Sequence, residues 1–269
     1  MSLHMETAGS GHDVVLIHGW GMHGGVWDGI SDALAERYRV HVLDLPGMGW
    51  SSSCQPYSLL RLTEVLAEAL PERAAVFGWS LGGQVAMRLA LDYPQRVERL
   101  VLIGATPRFV NGEDWQFGVA AEVFDLFASQ VAAGYHDTMT RFLGLQAFGG
   151  ESSRALMREL RERFFARPVP EEDVLQDALR ILLDTDLRGE LHALQQPTLL
   201  IHGNRDTLAP AEASKWMAAH LPHARLRLIE GASHAPFLSH PTTFLSEALQ
   251  FLAASPAASA CMDATETNT

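Results

Sequence analysis

An apolar run, Ala74-Ala75-Val76-Phe77, leads directly into Gly78-Trp79-Ser80-Leu81-Gly82-Gly83 and from there into an apolar-rich helical stretch over residues 84–91. A G-x-S-x-G sequence is weak evidence in isolation. Between a strand and a helix it specifies a sharp turn whose glycines leave room for the bend and whose serine stands at the crest. Such a turn needs a strand that delivers its C-terminal end to a helix N-terminus, which restricts the chain to α/β architectures. The backbone N–H of Leu81 falls at that helix start, where it faces any negative charge developing beside Ser80.

The rest of the chain agrees with this restriction. Runs rich in valine, isoleucine and leucine recur at 14–18, 39–45, 74–79, 97–105, 198–203 and 224–230, and several are nearly continuous, as expected of parallel strands covered on both faces. Helical spacing is legible in Leu59, Leu62, Leu66 and Leu70. The alternation stops between residues 111 and 190, where helical patterns at 119–133, 136–145, 152–165 and 171–183 follow one another without a convincing strand. The expected organisation is a core of residues 1–110 and 191–254, an all-helical cap over 111–190, and a disordered tail of alanine, serine and threonine over 255–269.

A serine hydroxyl is a poor nucleophile unless a histidine removes its proton and a carboxylate holds that histidine in the right tautomer. On a sheet of this kind the chain order is serine, acid, histidine. Asp206 follows the penultimate strand run in His202-Gly203-Asn204-Arg205-Asp206, and His234 follows the last in Gly231-Ala232-Ser233-His234. Asp184 and Asp186 compete for the acid role, but they fall in the helical insertion. His202 and His240 read as structural. Asp44 precedes the elbow and reads as a structural carboxylate. A second oxyanion donor is expected from the loop His18-Gly19-Trp20-Gly21, with the Trp20 N–H as candidate. Trp20 and Trp79 flank the serine and are expected to narrow its pocket.

Composition removes other functions. The 269 residues carry a net charge of −12, so no overall field attracts nucleic acid. Lys215 is the lone lysine beside 19 arginines, which leaves neither a lysine nucleophile nor a G-x-x-x-x-G-K-[ST] phosphate loop. Two cysteines, Cys54 and Cys261, make no disulfide framework, and no histidine or cysteine spacing reads as a metal site. With neither a leader nor an apolar membrane span in view, a cytoplasmic monomer without cofactor is expected.

Taken together, His18-Gly19-Trp20-Gly21, the Asp44-Leu45-Pro46-Gly47-Met48-Gly49 loop, the serine turn, Gly203-Asn204-Arg205-Asp206 and Ala232-Ser233-His234-Ala235-Pro236-Phe237 resemble the α/β-hydrolase superfamily over residues 14–252. The two tryptophans at 20 and 79, with Arg141-Phe142-Leu143-Gly144-Leu145-Gln146, look like the pimeloyl-[acyl-carrier protein] methyl ester esterases of biotin synthesis. The resemblance implies a mostly parallel sheet flanked by helices under a helical cap, and a serine carboxylesterase acting on a methyl ester carried by acyl-carrier protein. It implies Ser80 as nucleophile, Asp206 as acid and His234 as base, with oxyanion donors at Trp20 and Leu81 and an acyl-channel residue at Phe142.

It also implies that Arg141, Arg154 and Arg158 grip the carrier protein. A further family arginine falls at Asp137 here, so that contact is lost or replaced. Independently of the family, residues 137–167 hold six arginines against four acids, a local excess of positive charge in an acidic chain. An ordinary solvated helix face with pairs such as Arg158 and Glu162 accounts for the same residues. The alternatives are a broad esterase of small short-chain esters, a carbon-carbon bond hydrolase of the same fold, and a silent binding module, against which an intact serine, acid and histidine in order argues.

Overall fold

Helices cover the central strands on both sides, and this is why valine, leucine and isoleucine fill them so evenly. The computed structural model describes residues 2–146, 158, 161, 162 and 164–254. Within it β2 (Asp13–Ile17), β3 (Arg39–Leu43), β4 (Ala74–Trp79), β5 (Val97–Ile103), β6 (Thr198–Gly203) and β7 (Ala224–Ile229) run parallel, and β1 (Met5–Gly9) joins β3 antiparallel. The sheet order is β1-β3-β2-β4-β5-β6-β7. Every residue of β4 and of β6 is buried. The edge strand β7 instead exposes Arg225 and Arg227, which pair with the largely buried Glu247.

Strand β1 departs from the sequence expectation. Apart from Met5 its residues are small or polar and mostly exposed, so it contributes backbone pairing along a sheet edge and has no apolar pattern to betray it. In the segment expected to hold no strand, isolated bridges join Val110 to Val119 and Gly112 to Trp115.

Helices α1 (Asp28–Ala35), α2 (Leu59–Ala69) and α3 (Leu81–Asp92) follow strands of the first half, and α2 packs on α3. Helix α2 begins where the Ser58 side chain accepts the Arg61 N–H at 3.2 Å, and it buries Leu62, Val65 and Leu66. Each such leucine contributes about 2 kcal/mol.

Between β5 and β6 lies the helical insertion, with α4 (Ala121–Ala133), α5 (Tyr135–Gln146) and α6 (Glu172–Asp184). Helix α4 packs against both α5 and α6. The stripe Val174, Leu175, Ala178, Leu179, Ile181 and Leu182 buries one face of α6, and Glu172 and Asp173 in its first turn oppose the helix dipole favourably. Helices α7 (Ala211–His220), α8 (Pro236–Ser239) and α9 (Pro241–Ala253) complete the chain, α9 against α1. Most of the helix expected at 152–165, the tail at 255–269 and Cys261 lie outside the described residues. No helix among the described residues is long and apolar enough to cross a membrane.

Strand register gathers the loops that carry the functional side chains. Ile17 is level with Gly78, Trp79 with Ile103, Ile103 with Ile201 and Gly203 with Ile229, so the loops after five neighbouring strands emerge along one edge.

Candidate active site

Ser80 sits between β4 and α3 at φ 56° and ψ −118°, the single non-glycine residue at positive φ among the described residues. Holding a serine there costs about 1–3 kcal/mol, which the surrounding hydrogen bonds and packing must offset. Its own N–H donates to Ile103 O at 3.0 Å, and its carbonyl accepts the Gly83 N–H at 2.9 Å. A Cβ on Gly78 would collide with Gly82 O, and one on Gly82 with the carbonyls of Ile17 and His18. The elbow is therefore closed to side chains on both flanks.

Two further loops reach the same edge. Asp206 lies just beyond β6, and His234 lies between β7 and α8. A Cβ at Gly203 would strike the carbonyls of Ala232 and Ser233, and one at Gly104 would come within 2.7 Å of His234 O, so both glycines make room for the histidine loop. The Trp79 indole N–H donates to His234 O at 3.0 Å and holds that loop down.

The carboxylate can only accept, so the 2.8 Å contact between His234 Nδ1 and Asp206 Oδ2 places the proton on Nδ1. In the neutral ring Nε2 then keeps its lone pair. Asp206 Oδ1 accepts the Leu208 and Ala209 N–H groups, both at 2.9 Å. Burial opposes ionisation of Asp206, but the His234 charge and hydrogen bonds from His202 and His234 outweigh it and hold the carboxyl far below the usual range.

Ser80 and His234 line a cavity of about 230 Å³. Its other walls are almost wholly apolar: Trp20, Phe109 and Leu208 from loops of the core, Val119 from the start of the insertion, Val123, Leu126 and Phe127 from α4, and Leu179 and Leu182 from α6, with Gln130 and Thr138 as polar exceptions. Such a space suits an uncharged chain bearing one reactive polar end. Trp20 spans core and insertion, because its indole N–H donates to Leu175 O at 2.9 Å and its ring meets Phe127 edge to face at 5.1 Å.

Trp79 departs from expectation. It is absent from the cavity wall, only 1% exposed, and packed edge-on against Phe237 at 5.2 Å. Strand alternation explains this: Ser80 is lifted out by the turn while Trp79, the last strand residue, points into the core.

Leu81 is the first residue of α3, so its N–H has no intrahelical acceptor. The Trp20 loop approaches closely, with a Cβ on Gly19 falling 3.2 Å from Ser80 Cβ. Asp44 is fully buried and accepts the Gly24 N–H at 2.6 Å and the Trp50 N–H at 2.9 Å, a structural arrangement. Asp186 pairs with Arg188 and Arg108, away from the cavity wall, and His240 meets Ser239 Oγ at 2.9 Å.

Arg154 lies outside the described residues, as do the side chains of Arg141 and Phe142 in α5. Arg158 is exposed and stands 3.8 Å from Glu162, one helical turn on. The contact of His202 with Asp206 was not legible from spacing, since a histidine before a glycine at a strand end carries no such signal.

The family model of the α/β hydrolase fold matches residues 14–241. A pimeloyl-[acyl-carrier protein] methyl ester esterase of Nitrosomonas europaea is 49% identical over 91% of this chain and 97% of its own length. Another of that description, from Xanthomonas campestris pv. campestris, is 43% identical over 94% of this chain and 100% of its own. Among solved structures, an esterase from Exiguobacterium antarcticum superposes with a TM-score of 0.86 at 24% identity, covering 94% of this chain and 96% of its own, and speaks to fold alone. The chain belongs to the α/β-hydrolase family and, within it, to the pimeloyl-[acyl-carrier protein] methyl ester esterases.

Proposed function

We propose that the protein is a serine carboxylesterase that removes the methyl group from pimeloyl-acyl-carrier protein methyl ester, with Ser80 as nucleophile. The observation that carries this reading is the His234 Nδ1–Asp206 Oδ2 hydrogen bond, which leaves Nε2 as the basic atom of a ring that shares a cavity wall with Ser80. His234 takes the Ser80 proton as Oγ attacks the ester carbonyl. The N–H groups of Trp20 and Leu81 stabilise the tetrahedral oxyanion, and His234 protonates the departing methanol. Water, deprotonated by the same imidazole, then frees the acid from Ser80. Every proton is accounted for by His234, and the steps call for no cofactor.

The substrate comes from the family. Relatives at 49% and 43% identity carry that name, and an apolar cavity with two uncharged polar residues suits a pimeloyl chain whose far end is tied to a carrier. Residues 111–190 serve as the cap in this reading, with Phe142 beside the acyl chain. Arg141, Arg154 and Arg158 offer guanidinium groups to an acidic carrier protein. A chain with two cysteines and no apolar spanning helix among its described residues fits a cytoplasmic setting. Small uncharged esters fit the same cavity and serve as probes.

The test is hydrolysis of p-nitrophenyl butyrate by Ser80→Ala and Asp206→Asn. Ser80→Ala abolishes turnover and labelling by a fluorophosphonate, and Asp206→Asn lowers kcat by about 10⁴-fold because the imidazole tautomer reverses. Wild-type turnover in either folded variant would remove Ser80 or Asp206 from the mechanism.

A further inference from the structure

His202 is absent from the cavity wall and stands beside the acid. It is fully buried on β6, its Nε2 stands 2.6 Å from Ala209 O and 3.1 Å from Asp206 Oδ2, and its Nδ1 stands 2.5 Å from Ser214 Oγ on α7. Both partners of Nε2 are acceptors, so this nitrogen must carry a proton. In the neutral ring Nδ1 then accepts the Ser214 hydroxyl proton, which fixes the ring plane. Asp206 Oδ2 thus faces the His234 N–H at 2.8 Å and, at 3.1 Å, the His202 N–H that also donates to Ala209 O at 2.6 Å, while Oδ1 holds two backbone N–H groups.

We infer that His202, oriented by Ser214, is a positioning residue that aims Asp206 Oδ2 at His234 and sets how strongly that carboxylate supports the His234 imidazolium. This role deepens the proposed serine mechanism of Ser80, His234 and Asp206 and rests on it.

The physical argument is one of shared charge. Each donor on a carboxylate oxygen draws off part of its negative charge, so the His202 N–H makes Asp206 a weaker base towards His234. The same N–H, shared with Ala209 O, adds a second contact to Oδ2 beside that of His234. Without it Oδ2 rests on His234 alone, and its aim and charge depend on that one contact beside the two Oδ1 amides. The titratable groups around the cluster are Asp206 on the loop after β6, His234 on the loop before α8, and Glu212 on α7, whose charge also reaches His202.

The test compares His202→Phe, which keeps ring size and removes the donor, with His202→Gln, whose amide N–H2 can replace Nε2. The readouts are kcat and KM for p-nitrophenyl butyrate across pH, and the low-field proton resonance of His234 Nδ1–H, which needs no turnover. His202→Phe is expected to lower kcat about tenfold with KM unchanged. It also moves the acid limb of kcat/KM up by about 0.5 unit, because a more basic Asp206 favours His234 imidazolium, and it shifts the resonance. His202→Gln returns the limb to its wild-type position.

A folded His202→Phe protein with the wild-type acid limb and resonance overturns the inference. If His202→Phe does not fold, Ser214→Ala leaves the imidazole in place but unmoored, and is expected to move limb and resonance in the same direction by less. No movement there overturns it equally. Full activity in Ser80→Ala would instead sink the serine mechanism, while the His234 resonance would still report on His202.

Discussion

The Arg167 guanidinium lies 2.7 Å from the fully buried Asp44 carboxylate, joining the far end of the helical insertion to the loop after β3. Arg167 also donates to Glu6 Oε1 at 2.8 Å and stacks over Trp50 at 4.3 Å. Next to it, His23 accepts the Gly25 N–H and donates Nε2–H to Phe164 O at 2.9 Å. The returning segment of the insertion is thus fastened to the core by buried polar contacts, while Trp20 fastens α6 on the cavity side.

Breaking that pair strands a charge. Arg167→Met is expected to destabilise the fold by about 3 kcal/mol, because Asp44 keeps its amide donors but loses its cation in a dry site. The double variant with Asp44→Asn is expected to lose less than the sum of the singles. Urea unfolding checks both, and a loss below about 0.5 kcal/mol, the scale of an exposed pair, would show that Arg167 is solvated in solution.

His18 predicts a pH dependence of stability. Its Nδ1–H donates to Gly19 O at 2.8 Å and its Nε2 accepts the Leu45 N–H at 2.9 Å, so the folded ring is neutral. Burial pushes its pKa from 6.5 down to about 4, with Asp44 opposing. The unfolded chain binds this proton first, so the contribution is complete above about pH 6.5 and is lost as pH falls towards 4. The slope from this one group reaches about 1.4 kcal/mol per pH unit. Unfolding free energies of wild type and His18→Gln between those limits should diverge in slope, and parallel curves would contradict the assignment.

Gln84 is a cost that the fold carries. It is fully buried on α3, and neither its amide nitrogen nor its oxygen has a partner among the described residues. An unpaired amide in such a place costs about 1–3 kcal/mol, so Gln84→Met, of similar length and volume, is expected to raise stability by about 1 kcal/mol. Thermal unfolding measures it. A fall in midpoint would mean that bound water satisfies the amide in wild type.

Six of the seven strands were legible because each carries a run rich in valine, isoleucine or leucine, and the gathering of Ser80, Asp206 and His234 at one sheet edge was legible because each follows one of those runs. β1 was not, since Met5–Gly9 contributes backbone pairing and little burial. Trp79 was placed on the pocket by proximity in sequence to Ser80, yet the elbow that exposes the serine turns its neighbour inward. Arg167 with Asp44 and His202 with Ser214 could not be read at all. Their partners lie 123 and 12 residues apart, and no local pattern distinguishes a buried polar pair from two solvated side chains before the fold closes.

Methanol release from pimeloyl-acyl-carrier protein methyl ester, compared as kcat/KM with release from carrier-free methyl pimelate ester in wild type and Ser80→Ala, decides whether the carrier-bound ester is the substrate. A large preference for the carrier-bound ester, abolished in Ser80→Ala and weakened by charge reversal at Arg154 and Arg158, is the predicted result. Equal or better turnover of the carrier-free ester would leave Ser80 hydrolysis standing and contradict the carrier-protein substrate.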